Sequence, residues 1–231
     1  KRPAYDDIIQ GVSGMADMQG GREGPPQFIN AAVCDKICSQ VAVHAIIAAL
    51  FSRLKTGKGQ LVEVPMYESM VGFNLVEHQA GETFEPPLGP VGYERSMVEY
   101  RRPFATTDGY VCVLPYNTKQ WQSFLVAMGR EDLRNDVRVT DPKTRSEKIG
   151  ELYELVAALV RDWKTGDLIA TLEKADVPYG KATPMGELAD DPHLQAVGLF
   201  RSYNHPTEGM IRLTVPPVKF SKTPAEIHSL P

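Results

Sequence analysis

One carboxylate stands alone in an apolar run. Asp35 lies in AAVCDKICSQVAVHAIIAALF, whose composition predicts the most buried helix of the chain. Stripping water from an unpaired charge is costly, so a carboxylate there must be paired, protonated or chemically used. It falls near the expected helix start, where free N–H groups and the backbone dipole favour an anion. That position keeps the carboxylate ionised and available as a nucleophile. It also suits an aspartate that only caps the helix. Residue type alone leaves both roles open.

Other chemistries have weaker support. Cys38 and His44, six residues apart on one helix, point to different faces, so a thiol hydrolase lacks its oriented imidazole. Cys34, Cys38 and Cys112 form no CxxC pair, and His44, His78, His193, His205 and His228 show no metal spacing. We therefore expect no disulfide framework, no bound metal and a reducing, cytoplasmic setting. Cys34 and Cys38 read as small buried hydrophobes. Neither GxGxxG nor GxxxxGK[ST] occurs, and GKGQ reads as a helix-to-strand turn. Arg95, Arg101 and Arg102 cluster in GYERSMVEYRRP. Guanidinium groups grip carboxylates bidentately; charges at a solvated strand edge that discourage pairing are the alternative account of the cluster.

The chain of 231 residues can bury a real core; it is 42% hydrophobic and 23% charged, as globular proteins are. Its net charge of −4 offers no general attraction to nucleic acid or an anionic membrane. With Ser39, Gln40 and His44 interrupting the apolar run, no membrane span is expected, and KRPAYDDII does not read as a signal peptide.

These residues need elements to hold them. YDDIIQGVSGMADMQGG reads as a glycine-broken helix with Ile8, Ile9, Val12 and Met15 on one side. A Gly/Pro loop leads to the Asp35 helix, which should end at LKTGKG with Gly57 as a left-handed cap. A strand, QLVEV, and a helix opened by Pro65 follow. RRPFATTDGYVCVLPY reads as a hairpin turning at Asp108-Gly109. Helices are expected in TKQWQSFLVAMG, in SEKIGELYELVAALVRDW and, after a Thr165 cap, in DLIATLEKA. Ile149, Leu152, Val156, Leu159 and Trp163 keep a helical spacing that marks core. VPYGKATPM should be extended, DDPHLQAVG a short helix and FRSYNHPTEGMIRLTV a second hairpin.

Four blocks in order, YDDIIQGVSGM, AAVCDKICSQVAVHAIIAALFSRLKTGKGQLVEVPMYESMV, PFATTDGYVCV and DDPHLQAVGLF, resemble the family III coenzyme A transferases, the group of formyl-CoA transferase and carnitine CoA-transferase. The resemblance implies an α/β fold: part of an open Rossmann-like domain plus a smaller α+β domain with a short antiparallel sheet. It implies that residues 1–65 belong to the large domain, 66–84 to a linker helix, 85–184 to the small domain and 185–231 to a segment returning to the large one. The family's first Rossmann-like half, with most CoA-binding residues, has no counterpart in these blocks. Asp35 occupies the position of the family's nucleophile, which passes through an acyl–aspartyl anhydride and an aspartyl-CoA thioester. Tyr5 matches an active-site tyrosine and Met66 a methionine lining the substrate pocket, while Asp6 either orients the site or caps a helix. Coenzyme A is then substrate and product, with no permanently bound cofactor. The implied partners are an acyl-CoA, a carboxylic acid and a second subunit in an interlocked homodimer. No glycine run occupies the place of the formyl-CoA members' flap, so the acids are open; Arg101 and Arg102 are candidates to read a distal carboxylate. The family's racemases are an alternative, but they carry a histidine where Tyr5 stands, and a tyrosine, ordinarily titrating near ~10, is a poor base. A non-catalytic interaction module is the other alternative, and it leaves Asp35 without a role.

Overall fold

The computed structural model describes residues 3–231, so the first two residues of the expected 1–65 segment lie outside it. The chain separates into a larger unit ending at Gly180 and a smaller one, Lys181–Pro231. The larger begins with α1 (Asp6–Val12) and α2 (Met15–Gly20), broken at Gly14, whose φ of +81° is readily adopted only by glycine. The buried face of α1 differs from the expected one. Ile9, Gln10 and Ser13 are buried, whereas Ile8 and Val12 are exposed and line a cleft. The inward face is rotated toward Gln10, which lies outside the expected apolar side.

The long helix α3 (Val33–Thr56) ends as expected: Gly57 is left-handed and its N–H donates to the Arg53 carbonyl. Its burial corrects the sequence reading. Only Cys34 and Cys38 are buried, while Ile47 is 59% and Leu54 81% exposed. Its apolar residues run round the helix rather than along one stripe, and α1 and α4 (Met66–His78) cover only part of it. At 24 residues, with a mean hydropathy of 1.6 over its most apolar 18-residue stretch, α3 is long and apolar enough to cross a membrane by length and composition alone. The aliphatic positions outweigh Ser39, Gln40 and His44. Pro65 precedes α4 as expected, but residues 60–64 form no strand, because no neighbouring strand among the described residues supplies a ladder. Ile9, Met15, Cys34, Cys38 and Met70 make the small core of this region.

The rest of the larger unit builds a second, bigger core. After α5 (Glu94–Met97), strands β1 (Phe104–Ala105) and β2 (Tyr110–Val113) pair antiparallel with Phe104 opposite Val111, turning at Asp108-Gly109 as the sequence predicts. Helix α6 (Thr118–Ala127) opens with a capping box between Asn117 and Gln120. Helices α7 (Val137–Thr140) and α8 (Pro142–Glu147) start on the side-chain caps of Asp136 and Asp141. The expected long helix is split: α9 (Ile149–Val160) begins after a non-helical Lys148. Helix α10 (Thr165–Lys174) is not capped by Thr165, which is already helical. Asp108, in the hairpin turn, accepts from the Thr165 backbone N–H (2.7 Å) and hydroxyl (2.8 Å), so a distant carboxylate does the capping. Trp121, Phe124, Leu125, Leu152, Val156, Leu168 and Leu172 fill the core, with Trp121 and Phe124 edge to face at 6.2 Å. Strand β3 (Tyr179–Lys181) completes the order β1-β2-β3.

The smaller unit holds α11 (Pro192–Ala196), capped by Asp191, and a hairpin of β4 (Phe200–His205) and β5 (Gly209–Thr214), with Phe200 opposite Thr214 and His205 opposite Gly209. The class is mixed α/β, and the β1–β2 and β4–β5 pairs are antiparallel.

Candidate active site

Asp35 sits in the first turn of α3 with its side chain exposed. Unlike the buried charge that its neighbours suggested, it reaches solvent while Cys34 and Cys38 turn inward. The residue before the helix, Ala32, has no side chain able to cap it. Asp6 supplies the cap from α1: its Oδ1 accepts the Asp35 backbone N–H at 3.0 Å. Asp6 Oδ2 accepts from Gln10 Nε2 at 2.7 Å. Burial alone would raise the Asp6 carboxyl, but hydrogen bonds from Gln10 and from the backbone at Asp35 and Cys34 outweigh it and hold the group below the ordinary carboxylate range.

Gln10 is the residue that sequence reasoning missed. It is fully buried, accepts from the Ile29 N–H at 2.8 Å and points its amide toward the Ile29 and Ala31 carbonyls at 3.4 and 3.3 Å. One amide thus holds both Asp6 and the segment that delivers α3. The available signal was a glutamine directly after the apolar pair Ile8-Ile9; Asn74, buried on α4, donates to the Ser13 carbonyl at 2.9 Å in the same way.

Tyr5 is largely exposed and directly precedes Asp6, the residue that caps the Asp35 N–H. Met66, at the start of α4, packs partly on the small core and accepts at its carbonyl from the Cys38 thiol at 3.8 Å. It also lines an apolar cleft of about 530 Å³ with Ala4, Ile8, Val12, Tyr67 and Glu68. Tyr5 precedes α1 and Met66 starts α4, and both of those helices pack on α3, whose first turn carries Asp35. The thiols are not rivals to Asp35. Burial, with the nearby Asp6, Cys38 and Asp35 charges, pushes Cys34 up to about 11, and burial also raises Cys38. Among the described residues no group of three or more His, Cys, Asp or Glu side chains is placed to hold a metal.

Arg101 and Arg102 belong to a different region. Both precede β1 in an exposed loop instead of lying on a strand. Arg102 rests 5.3 Å from the centre of the Tyr100 ring, with Glu99 at 3.9 Å. Arg95 is the more enclosed: its Nε donates to the Tyr153 hydroxyl at 2.8 Å and its guanidinium lies 5.0 Å from the centre of the Tyr116 ring.

The model of CoA-transferase family III matches residues 1–231. The chain belongs to that family. It is 27% identical over 228 residues to a human protein named succinyl-CoA:glutarate CoA-transferase, covering 96% of this chain and 51% of that one. It is 32% identical over 169 residues to the probable fatty acyl-CoA transferase Rv3272 of Mycobacterium tuberculosis, covering 68% of this chain and 43% of that one. Among solved structures, a CAIB/BAIF family protein from Brucella suis superposes with a TM-score of 0.74 at 26% identity, covering 99% of this chain and 59% of that one. Rv3272 itself superposes with a TM-score of 0.76 at 23% identity, a likeness of fold, over 98% of this chain and 60% of that one. This family III chain thus spans about half the length of the curated relatives it matches.

Proposed function

We propose that this protein moves coenzyme A from an acyl-CoA to a carboxylic acid, with Asp35 as the covalent nucleophile. The observation that carries the proposal is an exposed carboxylate in the first turn of α3, on a residue whose backbone N–H is capped from another helix, in a chain of this family. The Asp35 carboxylate attacks the thioester carbonyl, the C–S bond breaks, and a mixed anhydride and CoA thiolate result. The thiolate attacks the aspartyl carbonyl, releasing the first acid and leaving an aspartyl-CoA thioester. The acceptor carboxylate attacks that thioester to give a second anhydride and thiolate. Attack of the thiolate on the acceptor's acyl carbon forms the new acyl-CoA and frees Asp35. Splitting one exchange into acyl transfers is nucleophilic catalysis, and backbone N–H donors suit each oxyanion. Tyr5 and Met66 flank the acyl group in this scheme.

Several relatives are named for dicarboxylates: succinyl-CoA:glutarate, succinyl-CoA:mesaconate and formyl-CoA:oxalate CoA-transferases. A dicarboxylate is therefore the proposed acceptor class, with an arginine of the 95–102 segment reading its far end. The exposed α3 face is taken as packing surface for the remainder of the fold, which the family resemblance makes Rossmann-like, rather than as a membrane span. The test is Asp35→Ala in the complete protein with candidate acyl-CoA and acid pairs. Transfer should fall at least about 10³-fold, as when other covalent nucleophiles are removed. Hydroxylamine added during turnover should modify Asp35. Undiminished transfer in the variant, or exchange of an α-proton with solvent deuterium in place of CoA movement, would defeat the proposal.

A further inference from the structure

We propose that Gln10 and Asp6 form a positioning clasp that sets the conformation of the α3 N-terminus, and with it the approach of Asp35 to substrate; this rests on Asp35 being the nucleophile. The first N–H groups of a helix have no partner within it, and Ala32 provides none. Asp6 provides one from α1 through the 3.0 Å bond to the Asp35 N–H. A cap borrowed from another helix does more than stop fraying, because it fixes one helix against the other. Gln10 then orients the cap. Its amide donates to Asp6 Oδ2 at 2.7 Å and its carbonyl accepts from Ile29 N–H at 2.8 Å. A buried amide is satisfied only when both bonds form together, so the 29–31 segment, Asp6 and the start of α3 are set by one side chain. The other charged or titratable groups acting on this clasp are Asp35 and Lys36 in the first turn of α3 and the thiols of Cys34 and Cys38.

A mere cap would affect stability and little else; a clasp has an orientation that chemistry can reverse. Gln10→Glu keeps the size and the acceptor for Ile29 but replaces the N–H donor facing Asp6 with a carboxylate. Two facing carboxylates settle only by sharing a proton. In the complete enzyme, kcat at neutral pH should fall on the order of 10–100-fold, the scale of a small misplacement of a reacting group, while the KM for acyl-CoA changes little. Activity should recover as the pH is lowered toward about 5, a rise that the unsubstituted enzyme lacks. Asp6→Asn in the Gln10→Glu background exchanges donor and acceptor across the pair and should restore part of kcat at neutral pH; Asp6→Asn alone should not. Amide hydrogen exchange at Cys34 and Asp35 should quicken in Gln10→Glu and slow again in the double variant. Asp35→Ala, measured alongside, separates two failures. Transfer surviving there removes the nucleophile, whatever the clasp does. With Asp35 essential, normal kcat and amide protection in Gln10→Glu, or a loss flat with pH and unrescued by the double variant, overturns the clasp.

Discussion

Helices α9 and α3 are both strongly apolar, and the structure treats them in opposite ways. In its 12 residues α9 buries Ile149, Leu152, Tyr153, Val156 and Val160, while α3 buries only Cys34 and Cys38 in its 24. The apolar positions of α9 form one stripe, which β1, α8 and the rest of the local core can cover. Those of α3 surround the helix, so no pair of neighbours can cover them all. Apolarity predicts that a helix wants a partner; only the stripe tells how many partners it wants. The region that carries the candidate chemistry is thus the less self-sufficient one.

The largest effect expected from this contrast is in stability. In the 231-residue chain Phe124→Ala should cost about 3–5 kcal/mol by urea denaturation, since it empties a fully buried position. Ile47→Ala should stay within about 0.5 kcal/mol, the range for exposed positions. Equal losses at the two sites would mean that α3 is covered and the contrast is void.

Association should be the next largest effect. Val43, Ile46, Ile47, Leu50, Phe51 and Leu54 leave an apolar surface on α3, and such surfaces drive self-association. The 231-residue chain should show a mass that rises with concentration by light scattering, and the combined Ile46→Lys and Leu54→Lys variant should lower it toward the monomer. A monomer at every concentration in the parent chain would show that this face is tolerated bare.

The same contrast separates what the sequence made legible from what it hid. The break near Gly14, the Gly57 stop, the turn at Asp108-Gly109 and the core stripe of α9 were all readable, because each is set by residues within a turn or two. The missing strand at 60–64, the bare α3 and the Asp108 cap on α10 depend on what lies across the fold, which local pattern does not carry. Asp35 was legible as an odd carboxylate among apolar residues, but the inference that it must be buried was wrong. Its immediate neighbours Cys34 and Cys38 face in while it faces out. Gln10 escaped notice because a buried amide and a surface amide look alike in sequence.

A smaller effect follows from the Asp6 cap. Its carboxyl is held below the usual range, so the cap contributes fully above the ordinary carboxylate pKa, about 4, and is lost as pH falls through the lowered folded value. Protection of the Asp35 and Cys34 amides in exchange-detected NMR should therefore drop in acid before the α9 core opens. In Asp6→Ala it should already be weak at neutral pH. Simultaneous loss in both regions would show that the α3 start has no separate weakness.

The smallest effect should come from the arginines, and here the two regions must cooperate if the dicarboxylate proposal holds. Arg101 and Arg102 are exposed, so screening limits what either contributes to a bound anion. Arg101→Ala and Arg102→Ala should each raise the KM for a dicarboxylic acceptor by roughly 2–5-fold, the scale of an exposed ion pair, and leave a monocarboxylic acceptor of similar length almost unchanged. Arg95 differs in kind. Its guanidinium is anchored by Tyr153 and Tyr116, and it lines a cleft of about 240 Å³ together with Arg145. Arg95→Lys keeps the charge but loses the planar fork that fits a carboxylate, so discrimination between the two acids should fall further there than in either loop variant. If all three substitutions move both acids equally, or move neither, the far carboxylate is read elsewhere in the enzyme, and the arginine segment serves only the packing of its own region.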